Sequence, residues 1–217
     1  MKRKLMLLFA CILTASMLFG CGNTSNETTT ENTPTQEQTE GTSSNAQAPS
    51  TEELMTLYQN AHDLYQQIVL TGFELSTTDV IDENGLTYYR VLDERFQDMP
   101  AFRTYLNQYF TNAFIDSDIL AEDNVRFTEG KGGGLYALDG SRGSNIYYAG
   151  YAMAEPVVSE DSITLTATAY YTEGEAYSGE TFREAPADAD AYTTREYTFT
   201  LVSEDGQWKF DTFDLFY

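Results

Sequence analysis

The hydrophobic period of the chain changes at Gly72-Phe73, and this constrains the fold more than any other feature of the sequence. Before that point Leu54, Leu57, Tyr58, Ala61, Leu64, Tyr65 and Ile68 recur at the spacing of one helical face. Ser50-Thr51-Glu52-Glu53 has the form of a capping box, with Ser50 at the N-cap and Glu53 three residues on, and Gly72 supplies the stop. The pattern predicts an amphipathic helix of about 20 residues, whose apolar stripe needs a second layer to cover it.

After Gly72 the pattern turns to strands. Residues 74–81 and 86–92 are predicted strands joined by Asp82-Glu83-Asn84-Gly85, whose Asn-Gly pair favours a tight hairpin. Asp98 and Pro100 open a second helix carrying Phe102, Leu106, Tyr109 and Phe110, with a continuation through Phe114, Ile115, Ile119 and Leu120. Beyond it the reading is wholly β. Residues 125–128 and 135–138 flank a glycine-rich tip, 130–134, and residues 146–158 and 162–172 turn at Glu160-Asp161. Residues 194–202 and 207–216 close the chain around Glu204-Asp205-Gly206. Asp139-Gly140-Ser141-Arg142-Gly143-Ser144-Asn145 is dense in turn formers, and residues 174–192 read as a long, partly ordered loop. Helices first and hairpins after indicate an α+β domain over residues 51–217, with the helices on one face of a strongly curved antiparallel sheet. The order resembles cone-shaped, nuclear-transport-factor-2-like domains with a cystatin-like layout, and such domains imply a pocket for a small ligand or cell-wall fragment.

Residues 1–20 read as a signal peptide. Lys2, Arg3 and Lys4 precede an apolar run that reaches Leu18, shorter than the ~20 residues a spanning helix needs. The run closes on Leu18-Phe19-Gly20-Cys21, which resembles the lipobox of bacterial lipoproteins. That resemblance implies a Cys21 carrying lipid as the first residue of the mature chain, and two acyl chains anchor a protein stably where one does not. Residues 22–50 hold no large apolar side chain and cannot offset the entropy of ordering, so they are expected to be a disordered tether. Such a coil spans roughly 30 Å on average and about 100 Å when stretched. The expected address is the outer face of the cell membrane, reached through the lipid anchor alone.

Charge and cysteine usage exclude several classes of function. Residues 51–217 contain nine Lys or Arg against thirty Asp or Glu. Nucleic acid is not an expected partner, since neutralising phosphates takes clustered cations. Cys11 leaves with the leader and Cys21 carries the lipid, so the domain has neither a thiol nucleophile nor a disulfide. With His62 as its one histidine, a four-ligand Cys/His zinc site cannot be built, and a Ser-His-Asp arrangement would have to use that residue. His62 lies beside the helix's apolar stripe, where a half-buried structural histidine is the simpler reading.

Three features are candidates for chemistry: the glycine tip with the 139–145 loop, the carboxylates and the paired tyrosines. Gly132-Gly133-Gly134 is no phosphate cradle, because no Gly-Lys-Ser/Thr and no helix follows it. A run starting at Asp139 has some features of a calcium loop, yet Arg142 stands where a ligand is needed and Gly150 occupies the twelfth position. A tight turn held by an Asp-Arg pair and a recognition surface remain the alternatives for 139–145. Asp79, Asp82, Glu83, Asp93 and Glu94 offer carboxylates in number, without a spacing that marks a glycosidase pair. Tyr88-Tyr89, Tyr147-Tyr148 and Tyr170-Tyr171 place one ring of each doublet outward, which suits contact with protein or glycan. No cofactor is implied.

The layout as a whole is familiar. Thr87-Tyr88-Tyr89-Arg90-Val91-Leu92 precedes a helix with Tyr105-Leu106 and Tyr109-Phe110-Thr111, followed by Leu135-Tyr136, the Asp139–Ser144 loop and a final strand with Trp208. This resembles the IseA-type inhibitors of cell-wall DL-endopeptidases of Gram-positive bacteria. The resemblance implies a protein that is not an enzyme, binds the cleft of NlpC/P60-type peptidases and restrains the cutting of peptidoglycan. Asp139, Ser141, Arg142 and Asn145 are the partner-binding residues expected under that reading.

Overall fold

A computed structural model describes residues 47–140, 142–179 and 182–216. The leader, Cys21 and most of the tether therefore lie outside the described residues, as does Ser141. The architecture is α+β, with helices and two antiparallel sheets.

Helix α1, Thr51–Gln66, starts at Ser50 as the capping box predicts. The Glu53 N–H donates to Ser50 Oγ at 3.3 Å, and the Ser50 N–H donates back to Glu53 Oε2 at 2.8 Å. The helix runs on through a wide π turn, Gln67–Thr71, and ends at Gly72 with φ +78°. Its stripe buries Leu54, Tyr58, Ala61, Leu64 and Tyr65.

The first sheet has the order β1-β2-β4-β3, built from β1 (Leu75–Glu83), β2 (Leu86–Val91), β3 (Phe127–Glu129) and β4 (Leu135–Leu138). Glu83 pairs with Leu86, so the hairpin loop is Asn84-Gly85 alone, both at positive φ (+52° and +79°), as a type I′ turn requires. A short 3-10 turn, Glu94–Phe96, and α2, Met99–Leu106, pack beneath this sheet. There Phe73, Phe96, Phe102 and Phe127 meet largely edge to face at centroid distances of 5.0–6.0 Å.

The second sheet carries β5 (Tyr148–Met153), β6 (Val157–Val158), β7 (Ser162–Tyr171), β8 (Thr193–Glu204) and β9 (Gln207–Thr212), with β5-β7-β8-β9 in order and β6 also on β7. Ile163, Leu165, Ala167 and Ala169 alternate into the core, while Thr164, Thr166 and Thr168 face the other way. The strand expected over 146–158 is divided. Met153 pairs with Ala167 and Val157 with Thr164, so Ala154-Glu155-Pro156 bulge over two partner residues, and Pro156 has no N–H for the ladder. The last strand stops at Thr212 rather than Phe216. The tail beyond it folds inward and buries Phe213, Leu215 and Phe216.

Two sheets stand where one strongly curved sheet was expected. The reason is the segment 139–147, whose described residues form no ladder: β4 pairs back into the first sheet, and β5 begins the second. The α1 stripe covers the second sheet, with the Tyr58 ring 5.2 Å from Phe199 and 5.8 Å from Phe213.

One polar cluster locks the β8–β9 hairpin to the chain after α2. Lys209, 1% exposed, donates to Asn107 Oδ1 at 2.7 Å and to Glu204 Oε1 at 3.0 Å. Glu204 also accepts from the Asn112 N–H at 3.2 Å and its side-chain amide at 3.1 Å. Burial works against the Glu204 charge, but the bonds from Lys209, Asn112 and Asn107 outweigh it and hold its carboxyl below the usual value. Glu204→Ala leaves the Lys209 ammonium buried with Asn107 Oδ1 as its acceptor and the exposed Asp205, at 3.7 Å, as its nearest described carboxylate, an arrangement that costs about 3 kcal/mol or more. Urea unfolding should show that loss, and the double change Glu204→Ala/Lys209→Met should recover most of it. An equal loss in the double variant would refute this account.

Candidate functional site

The Asp139–Tyr147 connection between the sheets is held from outside itself. At its start the Leu138 N–H donates to the Arg126 carbonyl at 3.0 Å, and further on the Arg142 N–H donates to the Leu70 carbonyl at 2.6 Å. Asn145 closes an Asx turn, its Oδ1 accepting from the Tyr147 N–H at 3.0 Å and its carbonyl from the Tyr148 N–H at 3.1 Å. Asp139 and Arg142 are exposed, and among the described residues no ion pair joins them. An Asp139–Arg142 pair is therefore not what holds the turn; backbone hydrogen bonds and the Asn145 side chain do. Ile146 and Tyr147 project from the connection, 60% and 40% exposed.

A second segment, described over residues 172–179 and 182–192, crosses this region as a strap. The Thr172 N–H donates to the Tyr147 carbonyl at 2.9 Å and the Tyr177 N–H to that of Ile146 at 2.8 Å. Further along, the Tyr148 hydroxyl donates to the Phe182 carbonyl at 2.8 Å. Arg183 bonds Gln59 Oε1 at 2.6 Å and Asp63 Oδ1 at 2.8 Å, both on α1. The strap passes directly over Gly150, whose φ is +128° and whose Cβ, had it one, would stand 2.1 Å from the Glu184 carbonyl oxygen.

Under the strap lies a cleft of about 210 Å³. Gln59, His62 and Gln66 of α1 form one wall, Ser144 and Asn145 another, and Tyr148, Tyr151 and Phe216 the aromatic floor. Burial pushes His62 below its ordinary pKa; its contact with Asp63, 3.5 Å away, opposes this, and the Arg183 charge reinforces it. Burial likewise raises the Tyr148 and Tyr151 phenols. The floor and the imidazole are thus uncharged at neutral pH.

Of the residues expected from sequence, Asn145 enters the cleft wall, whereas Asp139 and Arg142 lie on the outer surface of the connection. His62, expected to be structural, packs its ring on Tyr58 and Phe216, and among the described residues no hydroxyl hydrogen-bonds it as a nucleophile would. Asp79, Asp82, Glu83 and Asp93 are each occupied on or beside the first sheet, accepting from Tyr136, Thr87, Thr128 and Arg95. Among the described residues no three His, Cys, Asp or Glu converge on a metal position. The cleft itself is not among the features expected from the sequence. Its signals were Gln59, His62 and Gln66 at helical spacing beside the stripe, and Arg183 as the one cation in an acidic segment.

Comparison with known proteins adds one match. A family model described as IseA DL-endopeptidase inhibitor matches residues 47–215. No curated protein matches the chain.

Two outcomes test this geometry. Gly150→Ala should cost about 2 kcal/mol or more, from positive-φ strain and the collision with the strap, and limited proteolysis should then cut the strap between 172 and 192 more readily. Unaltered stability and cutting would show that the strap does not press on β5. The depressed His62 pKa sets the second. The unfolded chain takes up its proton near pH 6.5 and the folded chain only at lower pH, so stability is full above about 6.5 and declines as pH falls below it. His62 is the one histidine in the sequence, so the fall in urea midpoint between pH 7.5 and 6 should shrink in His62→Gln.

Proposed function

Because the chain belongs to the IseA DL-endopeptidase inhibitor family, we propose that it is a non-catalytic inhibitor of NlpC/P60-type cell-wall endopeptidases, held at the outer face of the cell membrane through lipid on Cys21. The observation that carries the reading is the Asp139–Tyr147 connection. It presents two exposed apolar side chains, Ile146 and Tyr147, on a backbone fixed by the end of α1, by Asn145 and by the strap. A pre-formed surface with an apolar centre and a polar rim is what a protein partner's cleft can accept at low entropic cost. In this reading the exposed Asp139 and Arg142 supply the rim, Ser141 is a partner contact expected from the sequence, and Asn145 shapes the turn more than it touches the partner.

The proposed anchor fits the same arrangement. The Trp208 indole N–H donates to the Gln47 carbonyl at 3.1 Å, fastening the chain just before α1. The tether therefore joins at the N-terminal end of a helix of about 24 Å, and the connection is tied beyond its C-terminal end, at Leu70.

The test is peptidoglycan digestion by an NlpC/P60 endopeptidase with increasing amounts of the purified chain. Digestion should slow with dose. Tyr147→Ala should weaken inhibition about tenfold or more, as loss of a buried aromatic anchor does, with a smaller effect from Asp139→Ala and Arg142→Ala at the rim. No slowing across several such enzymes would overturn the proposal.

A further inference from the structure

The cleft under the strap is distinct from the outward surface of the connection, and its chemistry is specific. Four of its lining groups make no hydrogen bond to any described residue: the Gln66 amide, the Ser144 hydroxyl, His62 Nε2 and Asn145 Nδ2. All four are neutral. The charged groups at the rim, Arg183 and Asp63, already neutralise one another at 2.8 Å. Opposite the polar groups stand aromatic faces. Tyr148 and Phe182 lie nearly parallel, 19° apart with centroids at 6.2 Å, and Phe216 packs 4.9 Å from Tyr151.

These facts discriminate among ligands. An anion or metal ion finds no free opposite charge. A purely apolar molecule would dry the four polar groups without pairing them, and each such loss is costly. A neutral ring that carries hydroxyl or amide groups on its edge and C–H bonds on its faces satisfies both walls at once. The volume of about 210 Å³ falls below the ~300–1,000 Å³ of pockets for drug-sized molecules, which limits the occupant to a single ring.

We propose that this cleft is a binding site for one neutral saccharide unit, with one ring face on the aromatic surface formed by Tyr148 and Phe182 and its hydroxyl or acetamido groups on Gln66, His62, Ser144 and Asn145. Planar amides and an imidazole that donate and accept without net charge suit such edges. Arg183 acts as a positioning residue, holding the strap and so Phe182 against α1.

The experiment is ligand-observed NMR titration of the purified chain with N-acetylglucosamine, glucose and inorganic phosphate. The sugars should bind and phosphate should not, and N-acetylglucosamine should bind more tightly than glucose if the amide wall is engaged. Gln66→Leu and Phe182→Ala should each weaken sugar binding at least tenfold. Both must unfold at the urea midpoint of the parent, and Ser144→Ala serves in place of either that does not. No sugar binding, phosphate binding of equal strength, or sugar binding unchanged in the folded variants would each overturn the proposal.

Discussion

The packing of one helical stripe against one sheet face is the interaction on which the rest of the molecule depends. Tyr58 is its centre: fully buried, its ring lies within 6.4 Å of Tyr151, Phe199, Phe210 and Phe213, which come from β5, β8, β9 and the tail. Aromatic side chains bury large areas and gain further from tilted contacts, so the cluster joins elements more than 150 positions apart in the chain. Its hydroxyl has no hydrogen-bond partner among the described residues, so Tyr58 serves the packing through its ring. Because α1 is fixed this way, Gln59, His62, Asp63 and Gln66 are fixed beside the stripe, and these residues receive the strap and form one wall of the cleft.

What was legible in the sequence was local. The Ser50–Glu53 box, the Asp98 cap and the Asn84-Gly85 and Asp205-Gly206 turns depend on neighbours three residues away or fewer, and the structure forms all of them. The α+β class followed from the change of period at Gly72. The division into two sheets did not, because it depends on which strand β4 finds as a partner, and alternation cannot specify that. The tail was likewise misread. Phe213 to Phe216 look like a strand in isolation, but the side of the core left open by α1 draws these rings inward.

The candidate site shows the same boundary between local and tertiary information. Turn-forming residues in 139–145 mark a loop, and Asn145 closes an Asx turn there. The cleft, by contrast, joins residues of α1 with Arg183, 120 positions from its partner Asp63. Nothing in the spacing of the sequence announces a contact of that range. The acidic composition of 174–192 reads as solvated loop, and a single arginine turns that segment into a structural element by supplying the one charge that α1 can bind.

That pairing bears on how a loop can recognise anything. A connection rich in Gly and Ser would lose much conformational freedom on binding if it were free, and the loss would be subtracted from its affinity. Here the cost is met on folding. The Leu70 carbonyl holds Arg142, the strap holds Ile146 and Tyr147 through their carbonyls, and the strap is in turn held by Arg183 on α1. Ile146 and Tyr147, which project outward, are therefore presented on a backbone whose carbonyls are already bonded to the strap. A substitution that loosens Arg183 from Asp63 would act on both surfaces without touching either, whereas one at Gln66 or Tyr147 would act on its own side alone.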